Sequence, residues 1–214
     1  MKVALFAKYG QKEHLFNLLN KGELYLQPFS NYRKIEDDGV RGDPNEGVAE
    51  HRTIPNGSKL SIKIDGEYQE VAEITSGAMR TFGSNFEKFS IYCLYAVTEN
   101  WSLESLPDEI KKFGDHVAVI HNPKIFVERI KKVISELNGD CFRQLVEYKS
   151  GDEFEGFIGP FVKHNDFQWQ SEFRICINTD LLTDNKINIG DLSDIISIYE
   201  AKDFDIQKEQ KELA

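Results

Sequence analysis

Three polar side chains stand at alternate positions late in the chain: Gln170, Glu172 and Arg174. Large apolar residues fall on every second or fourth position around them, and this alternation predicts a β-strand over residues 167–177 with one face on a core: Phe167, Trp169, Phe173, Ile175 and Ile177. On such a strand the three polar side chains would follow one another at about 7 Å along one face. A carboxylate held beside an amide and a guanidinium can bind a sugar hydroxyl or stabilise a cation. The alternative is a solvated strand face with an incidental Glu–Arg pair.

Other kinds of catalytic or metal site find little support in the sequence. It contains no CxxC, HExxH, P-loop, GxGxxG or GxSxG motif, and its five histidines lie far apart. Asp37, Asp38, Asp43 and Glu46 could bind a divalent cation, but charges in a Gly-rich loop are usually solvated. We therefore predict no metal site.

Composition and charge exclude several classes of protein. No stretch approaches the roughly 18 apolar residues of a membrane span, and the N-terminal residues lack the apolar core of a signal peptide. The three scattered cysteines fit a reducing compartment, so we expect a cytoplasmic protein without a membrane partner.

A net charge of −10 argues against duplex DNA as a partner, because phosphate affinity comes from clustered Lys and Arg. An anionic ligand of modest size could still bind to the basic residues of the first quarter of the chain: Lys8, Lys12, Arg33, Lys34, Arg41 and Arg52.

The hydrophobic pattern predicts an α+β fold that is rich in strands and has few helices. A buried strand over residues 3–7 precedes a helix over residues 11–20 that ends at Gly22, and a second helix begins at Asn122-Pro123. Residues 89–98 and 117–120 are typical of central strands, and residues 59–73 of a β-hairpin with a turn at Asp65-Gly66. Because neither a repeat nor a linker is visible, we predict a single domain over residues 1–214.

Residues 36–58 are a long polar segment rich in Gly, Asp, Asn and Pro. Loops of this length within a compact domain are usually functional or mobile. We predict a polar flap over a cleft, and the alternative is a disordered insertion.

This order of features resembles the ADP-ribosyltransferase superfamily, the toxin and polymerase group that uses NAD+. In that family the first strand ends in a polar residue that holds the cofactor's ribose. A short helix and a second strand follow, with aromatic residues that pack on the nicotinamide, and a late strand bears the catalytic glutamate, often as Gln-x-Glu. By position, the resemblance implies Glu172 as the catalytic residue and Gln170 as the residue that orients the acceptor. It covers most of the chain through short motifs.

The resemblance also implies an NAD site built largely from the first part of the chain. Lys8 would be the first-strand residue, Tyr25, Phe29 and Tyr32 the aromatic candidates, and Arg33 and Arg41 the partners of the pyrophosphate. The implied NAD-binding residues are, in full, Lys8, Tyr9, Phe29, Ser30, Tyr32, Arg33, Arg41 and Arg174.

Two positions depart from the family pattern. Lys8 stands where the family has Arg or His, and a lysine cannot fork its hydrogen bonds as an arginine does. The central strand reads Ser90-Ile91-Tyr92 in place of Ser-Thr-Ser. Both departures concern the NAD site rather than the catalytic glutamate.

The chain further resembles bacterial phage-defence and toxin–antitoxin proteins of this group, including those that act on RNA. This implies an RNA or protein acceptor and a neutralising antitoxin or chaperone as partner. Two other classes of function stay open: a non-catalytic module of the same fold that binds a nucleotide or a protein, and a metal-dependent nuclease.

Overall fold

A computed structural model describes residues 2–35, 42–83, 86–99, 106–178, 182 and 184–207. This part of the chain is mixed and strand-rich, with few helices, which agrees with the predicted α+β class. The α-helices are α1 (Lys12–Lys21), α2 (Phe29–Tyr32) and α3 (Pro123–Glu136). The strands are β1 (Val3–Gly10), β2 (Glu23–Tyr25), β3 (Gln27–Pro28), β4 (Val48–Ile54), β5 (Ser58–Ile64), β6 (Glu67–Ile74), β7 (Gly77–Phe82), β8 (Phe89–Thr98), β9 (His116–Ile120), β10 (Asp140–Leu145), β11 (Glu147–Lys149), β12 (Gly156–Phe157), β13 (Val162–His164), β14 (Glu172–Asn178), β15 (Lys186–Asn188) and β16 (Ile196–Glu200).

The central sheet has the strand order β10-β14-β8-β1-β9-β16, and every neighbouring pair along this path is antiparallel. Helices α1 and α3 pack on one face, where Phe6, Leu94 and Ile175 meet Leu18 and Ile130. The opposite face bears a second core, in which Leu5 and Tyr95 pack with Ile110. Residues of β8 contribute to both cores, which explains why this strand is almost wholly apolar.

The helix and hairpin predictions are confirmed. Helix α1 ends at Gly22, which has φ +61 and donates its backbone N–H to the carbonyls of the last turn. Helix α3 has Asn122 as its N-cap, and the side chain of Asn122 accepts a hydrogen bond from the backbone N–H of Ile125. Strands β5 and β6 form the predicted hairpin, and Asp65 and Gly66 both have positive φ in its turn.

The strand predicted over residues 167–177 is wrong in its first half. Residues Asn165–Gln170 form a 3₁₀ helix, Ser171 follows with φ +39, and β14 begins only at Glu172. Trp169 packs against Phe113 on the face of the sheet opposite to Phe173. Trp169, before Glu172, thus packs in a different core from Phe173, after it, although the two residues fit one alternating pattern in the sequence.

The polar segment over residues 36–58 contains a strand that the sequence did not predict, and its role as a flap over a cleft stays a prediction. Residues Val48–Ile54 form β4, which pairs with β7 and β12 in a small antiparallel sheet. Before β4, Asp43 and Glu46 are buried. Residues 36–41, with Asp37, Asp38 and Arg41, lie outside the described part of the chain.

Two further features of the described residues are the state of the cysteines and the character of the helices. Cys93, Cys141 and Cys176 all lie in the described part, and each is a free thiol. Within the described ranges, the structure has no helix with both the length and the apolar character needed to span a membrane.

Candidate functional site

A cavity opens on the face of the central sheet opposite to α1 and α3, above β1, β8 and β14. Its volume is about 160 Å³, close to the ~150 Å³ that admits a single benzene ring in an engineered protein cavity. Polar and aromatic side chains meet there from segments that are distant in sequence. The cavity is lined by Ala7, Lys8, Tyr9, Tyr32, Glu46, Cys93, Leu94, Tyr95, Ile110, Phe113, Lys163, Trp169, Gln170 and Glu172.

Glu172 is the first residue of β14, and only 5% of its surface is exposed. The Nε of Arg174 donates to its Oε1 over 2.9 Å, and an Nη of Arg174 donates to its Oε2 over 3.2 Å. Burial by itself would raise the pKa of Glu172, but the charges of Arg174 and Lys163 outweigh it and hold that pKa below its ordinary value. Glu172 is therefore an ionised carboxylate at neutral pH.

Arg174 is fully buried behind the cavity and joins two carboxylates. Besides Glu172, it binds Glu46 in a bidentate pair, with Nη–Oε distances of 2.7 and 3.0 Å. Its guanidinium lies 5.7 Å from the ring centre of Phe29. Arg174 thereby connects β14 to the segment that precedes β4.

Lys163, on β13, is the second cation of this cluster and is 4% exposed. Its Nζ donates to the Oε1 of Gln170 over 2.8 Å. The same Nζ lies 3.5 Å from Glu172, 3.6 Å from Glu46 and 3.9 Å from Asp43. Lys163 thus brings the amide of Gln170 beside the carboxylate of Glu172, even though the two residues do not share a strand.

Asp43 is the third buried carboxyl group of the cluster. Burial and the neighbouring charge of Glu46 raise its pKa, and Lys163 acts in the opposite direction. Within the described residues, no group of three or more His, Cys, Asp or Glu side chains could hold a metal ion. Asp43, Glu46 and Glu172 surround the ammonium of Lys163 instead.

Lys8 and two tyrosines line the cavity from the side of β1 and α2. The Nζ of Lys8 donates to the backbone carbonyl of Cys93 over 2.8 Å and lies 4.7 Å from the ring centre of Tyr92. Burial lowers the pKa of Lys8 and raises the pKa of Tyr9 to about 12, so Tyr9 keeps its hydroxyl proton at neutral pH. Burial likewise raises the pKa of Tyr32 well above its usual value.

The structure brings together part of the predicted site. Lys8, Tyr9, Tyr32, Gln170 and Glu172 all line the cavity. Arg174 lies directly behind Glu172, and Phe29 is fully buried beside Arg174.

The other predicted residues that the structure describes lie outside the cavity lining. Among the described residues, Ser30 and Arg33 are outside the cavity lining. Arg33 donates to the backbone carbonyl of Glu46 and stacks on the ring of Phe82 at 4.3 Å. Tyr25 is half-exposed on β2, and Arg41 lies outside the described ranges.

Sequence reasoning missed several cavity residues: Glu46, Cys93, Phe113, Lys163 and Trp169. From the sequence alone, Glu46 is a solvated charge or, at most, a metal ligand, and no role is assigned to Lys163. Neither Glu46 nor Lys163 belongs to a local sequence pattern that indicates burial. Their burial follows from the fold, which places both beside Arg174 and Glu172. Trp169 was assigned to the core through its apparent alternation with Phe173.

Comparison of the chain with protein-family models, with curated proteins and with solved structures found no match.

Proposed function

We propose that this protein is an NAD+-dependent ADP-ribosyltransferase that uses Glu172 as its catalytic carboxylate. The proposal rests on one observation above all: Glu172 and Gln170, the pair that resembles the family's Gln-x-Glu motif, lie side by side at the wall of one cavity. Lys8, at the position of the family's first-strand residue, lines the same cavity.

The electrostatics of Glu172 suit the transition state of this reaction. Cleavage of the bond between nicotinamide and ribose develops positive charge on the ribose. A carboxylate that is ionised and held in place by Arg174 and Lys163 stabilises such charge without reorganising during the reaction. The lowered pKa of Glu172 makes it an electrostatic stabiliser and a hydrogen-bond acceptor, rather than a general acid.

The size and walls of the cavity suit the nicotinamide end of NAD+. Its volume accommodates one aromatic ring. Tyr9, Tyr32, Phe113 and Trp169 supply aromatic surface, on which a flat, positively charged ring is favoured. The adenosine half of the dinucleotide would lie outside this cavity.

The reaction would proceed in two bond changes at the ribose C1′ atom. The C1′–N bond breaks, and its electron pair leaves with nicotinamide, which departs as a neutral molecule. The ribose 2′-hydroxyl donates a hydrogen bond to Glu172, which stabilises the oxocarbenium-like centre. A nucleophilic oxygen or nitrogen of the acceptor then bonds to C1′ and loses its proton to solvent water, with Gln170 orienting the acceptor.

Release of nicotinamide from NAD+ is the direct test. Wild type should release nicotinamide, and Glu172→Gln should lose about 10²- to 10³-fold in kcat, the usual effect of removing one such electrostatic contact. Glu147→Gln is the matched control, since Glu147 is an exposed carboxylate on a neighbouring strand. Circular dichroism should show both variants folded. Equal rates for wild type and Glu172→Gln would refute the proposal.

The acceptor follows from a second experiment with labelled NAD+ and a bacterial lysate. Label that protease removes would identify a protein acceptor, and label that RNase removes would identify RNA. In keeping with the resemblance to toxin–antitoxin proteins, we place the protein in the cytoplasm with a neutralising partner. Expression of the chain without that partner should slow growth, and expression of Glu172→Gln should not.

A non-catalytic binding module is the alternative that one observation favours. Both carboxylate oxygens of Glu172 already accept hydrogen bonds from Arg174 or Lys163, as in a purely structural ion network. This alternative predicts saturable ligand binding, without release of nicotinamide, in wild type and Glu172→Gln alike. A nuclease is disfavoured because two internal cations already neutralise the carboxylates that would hold its metal.

A further inference from the structure

Strands β5 and β6 form a two-stranded ribbon that projects from the small sheet of β12, β4 and β7. In the part of the chain that the structure describes, β5 and β6 pair only with each other. Nearly every residue of the ribbon is exposed. Such a ribbon is at best marginally stable in water, because stable sheets generally need a third strand or a covered apolar face.

The ribbon has one apolar face. Side chains alternate along a strand, so Leu60, Ile62 and Ile64 project from the same face of β5, and we call them the apolar stripe. They are 48%, 46% and 40% exposed. Directly opposed residues of an antiparallel pair share a face, and the register adds these to it: Ala72, Gln69 and Glu67. The register shifts between Leu60 and Ser61, where Val71 is an extra residue of β6, and this bulge puts Ala72 on the face of Gln69.

The charged side chains lie mostly on the other face, where they pair among themselves. Lys59 forms a 2.7 Å ion pair with Glu70, and the Nζ of Lys63 lies 5.7 Å from the ring centre of Tyr68. Glu67 is thus the single charge on the face of the apolar stripe. This separation of charged from apolar side chains is typical of a strand pair with one covered face.

We propose that the apolar stripe is covered by a second copy of this chain, with the two ribbons packed face to face. The stripe is symmetric about Ile62, so a two-fold axis across the ribbon at this residue would place Ile62 against its counterpart. Leu60 of each copy would then meet Ile64 of the other. An isologous contact of this kind uses the same patch on both subunits.

The positions of the polar residues on this face are compatible with the same two-fold axis. Gln69 is the cross-strand partner of Ile62 and would oppose its own counterpart. A primary amide both donates and accepts, so two copies of Gln69 can hydrogen-bond each other. Glu67 would oppose Ala72 of the other copy, so like charges would not meet.

The net charge also favours this orientation over a parallel one. Each chain has a net charge of −10, and two such bodies repel. The antiparallel arrangement puts the two bodies at opposite ends of the paired ribbons, which are about 23 Å long at roughly 3.3 Å per residue. That separation exceeds the ~8 Å Debye length at physiological salt, so the repulsion is largely screened.

The contact is small, and the dimer is therefore weak. A face about 23 Å long and two strands wide covers well under the roughly 800 Å² per partner of a standard interface. We expect a dissociation constant on the order of 10⁻⁵–10⁻⁴ M, as for weak and transient contacts.

Sedimentation equilibrium of the full chain over a range of about 5 to 500 μM, which brackets this constant, tests the inference. The mass of wild type should rise from 24.6 kDa towards twice that value as the concentration increases. Ile62→Glu should weaken the dimer at least tenfold, because it places a charge at the two-fold axis. Ser61→Glu is the matched control, with the same added charge on the opposite face, and it should dimerise as wild type does. A wild type that stays at 24.6 kDa, or equal loss of dimer in both variants, would overturn the inference.

Cross-linking tests the geometry. Facing sheets lie about 10 Å apart, so a bis-maleimide of about that span should join two copies of Gln69→Cys across the axis. Tyr68→Cys, on the other face, should form little cross-linked dimer. Equal cross-linking of the two variants would contradict the two-fold arrangement.

Discussion

The site around Glu172 and the ribbon of β5 and β6 both depart from the usual distribution of side chains, in which charges are exposed and apolar groups are buried. The site buries charges, and the ribbon exposes apolar groups. Near Glu172, three carboxyl groups, a lysine and an arginine are almost wholly removed from water. In the ribbon, Leu60, Ile62 and Ile64 are close to half-exposed. Buried charges and exposed apolar groups are the informative exceptions in a globular protein. Burial of an unpaired charge lowers the stability of the fold, and an apolar side chain that stays exposed contributes no hydrophobic stabilisation.

The difference between the two regions lies in what compensates each exception. The charges near Glu172 compensate one another inside the chain: Arg174 binds Glu172 and Glu46, and Lys163 adds a further positive charge. The apolar stripe has no comparable cover in the described part of the chain. The first region should therefore be stiff and costly to alter, and the second tolerant within one chain but sensitive to association.

Removing the central cation should have the largest effect. Arg174→Met would remove the cation that binds the buried carboxylates of both Glu172 and Glu46, and should lower the free energy of unfolding by about 3–5 kcal/mol. Urea denaturation measures this. Arg129→Met is the matched control, because Arg129 forms a bidentate but partly exposed pair with Asp194, and it should cost below about 1 kcal/mol. Similar losses in the two variants would show that burial does not set the cost.

Acid should weaken the cluster. The pKa of Glu172 is lower in the folded chain than the ~4.3 of an unfolded glutamate, so its contribution to stability is present above about pH 4.3. That contribution is lost as the pH falls towards the folded-state pKa, and should amount to something on the order of 2 kcal/mol.

Urea denaturation of wild type, Glu172→Gln and Glu147→Gln between about pH 7 and pH 3 separates this contribution from the titration of other carboxyls. Glu172→Gln should lose less stability than wild type over this interval, since it has no carboxyl at position 172 to protonate. Glu147→Gln should follow wild type. Parallel curves for all three proteins would mean that Glu172 titrates normally.

The same substitution at one isoleucine of each region should change stability very differently, and the exposed site should give the smallest effect of all. Ile62→Thr, in the exposed ribbon, should change the unfolding free energy of the monomer by less than about 0.5 kcal/mol. Ile175→Thr, in the fully buried part of β14, should cost about 2–3 kcal/mol, because it replaces a packed ethyl group by a buried hydroxyl. The measurement belongs at low protein concentration, where the proposed dimer dissociates. A large loss for Ile62→Thr there would show that the ribbon is covered within a single chain.

The elements with strong local patterns were predictable from sequence. Helix α1 with Gly22, helix α3 with Asn122, the apolar strand β8 and the Asp65-Gly66 hairpin all follow from short-range physics: side-chain periodicity, capping and turn conformation. The Gln-x-Glu spacing of Gln170 and Glu172 is also visible in the sequence, because it is a local motif, and the catalytic role of the pair stays a prediction. Their closeness in the folded chain, however, depends on Lys163 rather than on the predicted continuous strand.

Tertiary structure alone decided the rest. Glu46 and Lys163 are ordinary polar residues in sequence, and burial becomes tolerable for them only where the fold brings Arg174 and Glu172 within ion-pair distance. Likewise, no local rule distinguishes Trp169 from Phe173, which pack on opposite faces of the sheet because the 3₁₀ helix ends at Gln170 and the left-handed Ser171 separates it from β14. Sequence patterns report the periodicity of single elements, whereas the electrostatic compensation of buried charges depends on distances between elements, and these are determined only when the sheet assembles.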